Sequence, residues 1–176
     1  MLKLFPVLLF FYATCSIPTE INIYDIEKNK VNILLVEKSK NKIQLGLEFL
    51  LDTDWKIYWK YPGDVGLGPS LQITEGSKKH KINIKWPYPT ELYEEEVHLT
   101  SRVYYNNVIL PTEITFYDLS KSKSNKIKFL LDFQICKEIC IPVNKEFIID
   151  LEPKNYINNK NIEKIKLYAA YVPKDI

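Results

Sequence analysis

Apolar and polar residues alternate along much of this chain with a period of two, the spacing of a strand that buries one face. Ile43, Leu45, Leu47, Phe49 and Leu51 alternate with Lys42, Gln44, Gly46 and Glu48, and Asp52-Thr53-Asp54 closes that run. The cleanest case is Ile127, Phe129, Leu131, Phe133 and Ile135, answered further on by Phe147, Ile149 and Leu151. Val31, Ile33 and Leu35 alternate more loosely, with a turn at Lys38-Ser39-Lys40-Asn41, and Ile82, Ile84 and Trp86 run until Pro87 and Pro89 stop them. Val103-Tyr104-Tyr105, Asn106-Asn107 and Val108-Ile109-Leu110 predict a hairpin, because asparagine tolerates the positive φ that hairpin turns require. Ile114 and Phe116 continue the sheet.

Between these runs lie irregular segments. The aromatic run from Trp55 to Tyr61 ends in a Pro62-Gly63 turn, and Gly66, Gly68 and Pro69 prolong the loop. Residues 90–100 read as a polar, acidic loop, and Lys121-Ser122-Lys123-Ser124-Asn125 as a solvated turn. Pro153 ends the strand region. Ile162, Ile165, Ala169 and Val172 then recur at helical spacing, with Asn161 as the predicted N-cap. About eight strands with turn signals between them predict an all-β fold, an antiparallel β-sandwich with a short C-terminal helix. No internal repeat and no second domain is evident. The expected organisation is a leader over 1–16 and one domain over 17–176, with its core at about 28–152 and a helical tail over 155–176.

Composition agrees with a single packed domain. The 176 residues are 46% hydrophobic, with twelve tyrosines favouring strands. A net charge of +2 from 24 basic and 22 acidic residues, with scattered lysines, gives no electrostatic case for nucleic acid. At the start, Met1-Leu2-Lys3 precedes an apolar run from Leu4 to Tyr12 that is too short to span a bilayer, followed by small residues Ala13, Thr14, Cys15 and Ser16. This is the pattern of a secretory signal. The residues before Cys15 fit a lipidation site poorly. An exported protein, in a compartment where disulfides persist, is the expectation.

The chemistry then concentrates in Cys136 and Cys140, separated by Lys137-Glu138-Ile139. Strand parity places both on the outward side: Cys136 follows the inward Ile135, and Cys140 lies an odd number of residues before the inward Phe147. This holds if no bulge intervenes. Opposed residues at a hairpin end have Cβ atoms roughly 4.5–5.5 Å apart, and a disulfide wants about 3.8 Å, so the bond is reachable with strain. Strain and exposure mark labile disulfides. Three uses remain open. A structural staple is the commonest use of a lone pair in an exported protein, but a loop this short gains less than the ~3 kcal/mol of a 15-residue loop. Two thiolates also suit Cu(I) or Zn(II), though His80 and His98 have no motif spacing to the pair and read as surface residues. The third use is reversible thiol exchange. No cofactor motif is present.

Four blocks, in order, resemble a known family. They are Trp55-Lys56-Ile57-Tyr58-Trp59-Lys60-Tyr61-Pro62-Gly63-Asp64-Val65-Gly66, then Trp86-Pro87-Tyr88-Pro89, then Val108-Ile109-Leu110-Pro111, then Cys136-Lys137-Glu138-Ile139-Cys140-Ile141-Pro142. Over roughly residues 28–152 the chain resembles the N-terminal periplasmic domain of the thiol:disulfide interchange protein DsbD and the related ScsB-type copper-sensitivity proteins. The resemblance implies an immunoglobulin-like sandwich whose cysteine pair, here Cys136 and Cys140, takes electrons from a membrane donor. The pair would pass them to periplasmic thioredoxin-fold proteins through mixed disulfides. It also implies a cap loop over the pair at Glu91, Leu92 and Tyr93, with leucine where the family carries an aromatic residue unless Tyr93 takes that role. Tyr58, Trp59, Tyr104 and Tyr105 are candidate lining residues, or else ordinary core aromatics. The best-studied members place more residues between the cysteines. Since the sequence stops at Ile176 without a membrane or thioredoxin domain, the implied donor is a separate protein. Nothing marks which cysteine attacks first: Lys137 favours a thiolate and Glu138 opposes it. The alternative on the same sandwich is a non-catalytic module that binds copper or a partner protein.

Overall fold

A computed structural model describes residues 20–39, 41–117, 125–152 and 156–174. The leader with Cys15, the residues 121–124 of the expected turn, Pro153 and the ends of the expected tail lie outside the described residues. Among the described residues, twelve strands and one helix run in order: β1 Glu20–Ile26, β2 Asn29–Lys38, β3 Lys42–Leu50, β4 Lys56–Gly63, β5 Ser70–Glu75, β6 His80–Ile84, β7 Thr90–Glu94, β8 Leu99–Tyr105, β9 Asn107–Phe116, β10 Lys126–Cys136, β11 Cys140–Asp150, β12 Tyr156–Ile157 and α1 Asn159–Ala169. They form two antiparallel sheets. One runs β1-β2-β3-β9-β6, with β12 also beside β2, and the other runs β11-β10-β4-β8-β7, with β5 also beside β10. The antiparallel sandwich is the fold that alternation predicted, its immunoglobulin-like form is what the family resemblance implied, and the short C-terminal helix is the one that helical spacing predicted.

The inward faces close on each other through aromatic residues. Phe133 of β10 meets Phe49 of β3 edge-to-face at 5.4 Å and Tyr24 of β1 at 5.7 Å, while Phe129 stacks on Phe147 at 5.0 Å. Such pairs contribute about 0.5–1.5 kcal/mol each beyond the area they bury. Ile43, Leu45, Leu47 and Phe49, and likewise Ile127, Phe129, Leu131 and Ile135, belong to this core and are essentially inaccessible.

Several local expectations are corrected. Val103 to Leu110 is not a hairpin, because β8 pairs with β4 and β7 while β9 pairs with β3 and β6. Asn106 does take positive φ (59°), but at a corner where the chain crosses between sheets. The acidic segment 90–100 is a loop only in part: Thr90–Glu94 is strand β7, paired with β8, and the turn is confined to residues 95–98. Strand β5, whose Leu71 and Ile73 alternate over too few residues to announce themselves, pairs with β10. The N-cap of α1 is Asn158, whose side chain accepts from the Asn161 backbone N–H. Asn161 lies inside the helix and donates from its own amide to the Leu35 carbonyl at 2.8 Å.

Helix α1 explains why β2 alternates only loosely. It covers the outer face of the first sheet, so Leu34 and Val36 are buried on the side opposite Ile33 and Leu35. No helix among the described residues is long and apolar enough to cross a membrane.

Candidate functional site

The long hairpin β10–β11 carries both cysteines at its tip. Its register is unbroken from Lys126↔Asp150 to Ile135↔Ile141 and Cys136↔Cys140, so the two cysteines are directly opposed with no bulge between them. They form a disulfide with S–S 2.03 Å and Cα atoms 4.1 Å apart. Opposed positions in an antiparallel pair share one face of the sheet. That face is the outer one: Ile135 lies in the main core, whereas Cys136 belongs to a separate small cluster with Tyr58 and Val103.

The two sulfur-bearing residues differ in access. Cys136 is 1% exposed and Cys140 is open to solvent. Parity alone could not show this difference, because it depends on what lies over the outer face. Tyr58 from β4, Val103 and Tyr105 from β8, Leu92 from β7 and Val65 from the loop after β4 make the cover. The Tyr58 hydroxyl reaches 3.9 Å from the Cys140 sulfur. Burial pushes the Tyr58 phenol above its usual range, with Glu94 and then Tyr105 adding to the effect. Tyr105 is raised in the same way, by burial first and then by Glu94 and Asp54. Both phenols are therefore protonated donors throughout the neutral range.

Of the cap residues, Leu92 packs against the cluster that buries Cys136, and Glu91 and Tyr93 point to the other side of β7. Glu91 pairs with Arg102 at 3.3 Å, and the Tyr93 hydroxyl meets His98 Nδ1 at 2.9 Å in the adjoining turn. Tyr58 and Tyr105 flank the disulfide, but Trp59 and Tyr104 face the opposite way, against the main core. Tyr104 donates its hydroxyl to the Pro87 carbonyl at 2.6 Å. Parity within each strand separates these pairs, since 58 and 59, like 104 and 105, fall on opposite faces.

Sequence reading missed the polar frame of the site. Lys56 pairs across the sheet with Cys136, and its ammonium lies 3.4 Å from the Lys137 carbonyl and 3.9 Å from Glu94. Lys137 in turn pairs with Asp54 at 3.4 Å, which ties the cysteine loop to the turn before β4. Val65 and Val103 were missed as well, although Val103 shares the parity of Tyr105. His80 is half-buried and His98 is exposed. Among the described residues no group of three or more His, Cys, Asp and Glu side chains could hold a metal ion.

A surface thiol pair with one shielded and one open sulfur is suited to attack by an incoming thiolate at the open sulfur. Comparison with known proteins bears on the same residues. Residues 27–152 match the family described as thiol:disulfide interchange protein DsbD, N-terminal. Among solved structures, the N-terminal periplasmic domain of ScsB from Proteus mirabilis superposes with a TM-score of 0.71 at 19% identity, over 90% of this chain and 61% of that one. The chain thus spans about three-fifths of the ScsB domain. The N-terminal domain of DsbD from Neisseria meningitidis, in its reduced form, aligns at 15% identity over 71% of this chain and 90% of that one, with a TM-score of 0.37. No curated protein matches the sequence.

Proposed function

The chain belongs to the family of DsbD N-terminal domains, and on that footing we propose that it is a periplasmic thiol–disulfide exchange domain working through Cys136 and Cys140. The observation that carries the reading is the unequal access of two opposed cysteines, one sealed under Tyr58, Val103 and Leu92 and the other exposed. A thiolate of a reduced donor attacks the Cys140 sulfur, the Cys136–Cys140 bond breaks, and its electron pair leaves on Cys136, which takes up a proton. The donor's second thiolate then attacks the donor sulfur of the mixed disulfide and releases Cys140. Two electrons have entered the domain and the donor has become a disulfide. Delivery reverses the order: the Cys140 thiolate attacks an acceptor disulfide, and Cys136 resolves the mixed disulfide by attacking Cys140.

In this reading the donor is a membrane-embedded dithiol and the acceptors are thioredoxin-fold proteins of the periplasm. Residues 1–16 act as the export signal and the remainder forms one domain. Support for protein partners comes from the surroundings of Cys140, where Ile139 is 74% and Ile141 39% exposed. Apolar side chains beside an open sulfur offer a landing surface for another protein.

The test is to trap each cysteine separately. Oxidised wild-type protein should exchange with a reduced thioredoxin-fold protein. When that partner lacks its resolving cysteine and carries its remaining cysteine as a mixed disulfide with thionitrobenzoate, the free Cys140 thiolate of Cys136→Ser should displace thionitrobenzoate and form the inter-protein disulfide far faster than Cys140→Ser does through Cys136. A reduction potential below about −300 mV together with no exchange would place the pair among resistant structural disulfides and overturn the proposal.

A further inference from the structure

Beside β4 and away from the disulfide, a cleft of about 420 Å³ opens between the middle of β4, the end of β6, and the end of α1 with the chain after it. Its walls include Trp59 and Trp86, with Lys60, Lys85, Lys174 and Asn83 around them. The walls are anchored. The Tyr88 N–H donates to the Tyr171 carbonyl at 2.9 Å, joining the chain after α1 to the Trp86-Pro87-Tyr88 segment, and Tyr104 holds the Pro87 carbonyl. We propose that this cleft binds an extended acidic peptide segment of a partner protein, laid along the free edge of β6.

Three observations carry this. First, the lysines are unmatched. Among the described residues none of Lys60, Lys85 and Lys174 has a carboxylate within ion-pair distance, unlike Lys30, Lys42, Lys56, Lys128, Lys137, Lys164 and Lys166; Lys28, Lys81, Lys145 and Lys160 also lack one, but they do not line the cleft. Lys60 instead lies 5.5 Å from the Trp59 ring and 4.8 Å from the Tyr61 ring. The nearest carboxylate to Lys85, Glu113, is ion-paired to Lys42 and hydrogen-bonded by Gln44, and Lys85 adds only the weakest pull on it. Second, Trp59 lines the cleft, and its indole N–H, shielded from solvent, has no hydrogen-bond partner among the described residues. Third, among the described residues β6 pairs only with β9, leaving its other row of N–H and C=O groups open.

Lysine on an open strand edge is a common guard against unwanted pairing, and Lys85 alone would fit that use. Lys60 and Lys174 come from elements that are not edges of this sheet, yet they converge on the same cleft. An added strand would satisfy the β6 backbone, place its carboxylates on the lysines and set an apolar side chain between the tryptophans. The site involves neither cysteine and stands independently of thiol exchange.

The measurement is anisotropy of a short fluorescein-labelled peptide alternating Glu and Val, titrated with the whole chain. Saturable binding is expected that weakens with salt. It should fall about tenfold in Lys60→Glu/Lys85→Glu, disappear when alternate peptide nitrogens are methylated, and persist in Cys136→Ser/Cys140→Ser. Circular dichroism of the lysine variant checks that it stays folded. A Lys-for-Glu peptide that binds as well overturns the proposal, as does equal binding of the methylated peptide. Displacement by indole acetate without any dependence on peptide backbone would assign the cleft to a small organic anion instead and would likewise overturn it.

Discussion

The hydroxyl of Tyr58 lies 3.9 Å from the sulfur of Cys140, while Tyr58 also belongs to the cluster that buries Cys136. One side chain thus touches both halves of the disulfide, by its polar tip and by its apolar body. Gly66 fixes the ring in place: a Cβ there would come within 2.4 Å of three Tyr58 ring carbons, and its φ of 95° suits glycine alone. Because the phenol stays protonated at neutral pH, it is a donor toward the thiolate that forms on reduction. Tyr58→Phe keeps the ring and removes that donor. The reduced form loses stabilisation, so the reduction potential should become more negative by up to about 30 mV, equivalent to ~1.4 kcal/mol. Stability of the oxidised protein should change by less than about 1 kcal/mol, since sulfur is a weak acceptor. Equilibration against a glutathione buffer measures the first and urea unfolding the second. An unchanged potential would reduce Tyr58 to a packing role.

Leu92 should control access to Cys136. Its truncation to Ala opens the small cluster over that cysteine, at a cost of about 1–2 kcal/mol for a half-buried leucine. In the reduced protein the rate of Cys136 alkylation by iodoacetamide should rise several-fold, while Cys140, already exposed, should react as before. Mass spectrometry of each cysteine separates the two. Equal acceleration at both would point to general loosening of the hairpin.

The sheet pattern was legible where one face meets the core and the other meets water. Strand β10 is such a case, and its alternation gave both the strand and the shared face of Cys136 and Cys140. It failed where a strand is covered on both sides. Gly46 and Glu48 read as outward polar positions of β3, yet Glu48 is 3% exposed, held by the Asn32 amide at 2.9 Å and paired with Lys164 of α1 at 3.4 Å. A helix joined to the sheet from more than a hundred residues away leaves no local trace. The corner at Asn106 shows a different limit. Asparagine correctly marked a positive φ, but a hairpin and a crossing between sheets require the same dihedral there. At the site, the cover over Cys136 comes from β4, β7 and β8, which only the fold brings together.

Gly46 gives a direct test of how α1 is seated. A Cβ at this position would stand 2.8 Å from Ile109 Cγ2 and 2.8 Å from Ile165 Cδ1, closer than side chains pack. Gly46→Val should therefore lift the helix from the sheet, losing about 1–3 kcal/mol by overpacking. Amide exchange should speed up in α1 while the β10–β11 hairpin stays protected. If protection in the hairpin fell equally, the helix and the site would be one cooperative unit.

The molecule should lose stability above about pH 10, and Tyr104 should account for the largest part of the loss. Burial pushes the Tyr104 phenol far above its ordinary value of about 10, and Tyr24, Tyr58, Tyr105 and Tyr168 are raised as well, each mainly by burial. In the unfolded chain these phenols lose their protons as the pH passes about 10, whereas in the folded chain they keep them. The unfolded state then binds fewer protons than the folded one, and unfolding becomes more favourable as pH rises. Lys38 works in the opposite sense. It is almost wholly buried, donating to the Asp150 and Glu152 carbonyls at 2.6 and 2.7 Å, and burial lowers its pKa. Between that lowered value and about 10.4 the unfolded chain holds the extra proton, so this group adds stability as pH rises. Five tyrosines against one lysine set the net direction. Urea midpoints taken from pH 8 to pH 11 should hold level or rise slightly up to about pH 10 and fall beyond it. Tyr104→Phe should start lower at neutral pH by about 1–3 kcal/mol, because the buried Pro87 carbonyl loses its donor, and then decline less steeply than wild type. A wild-type midpoint that stays flat through pH 11, or a Tyr104→Phe curve parallel to it, would show that these phenols ionise within the folded protein as readily as they do in the open chain.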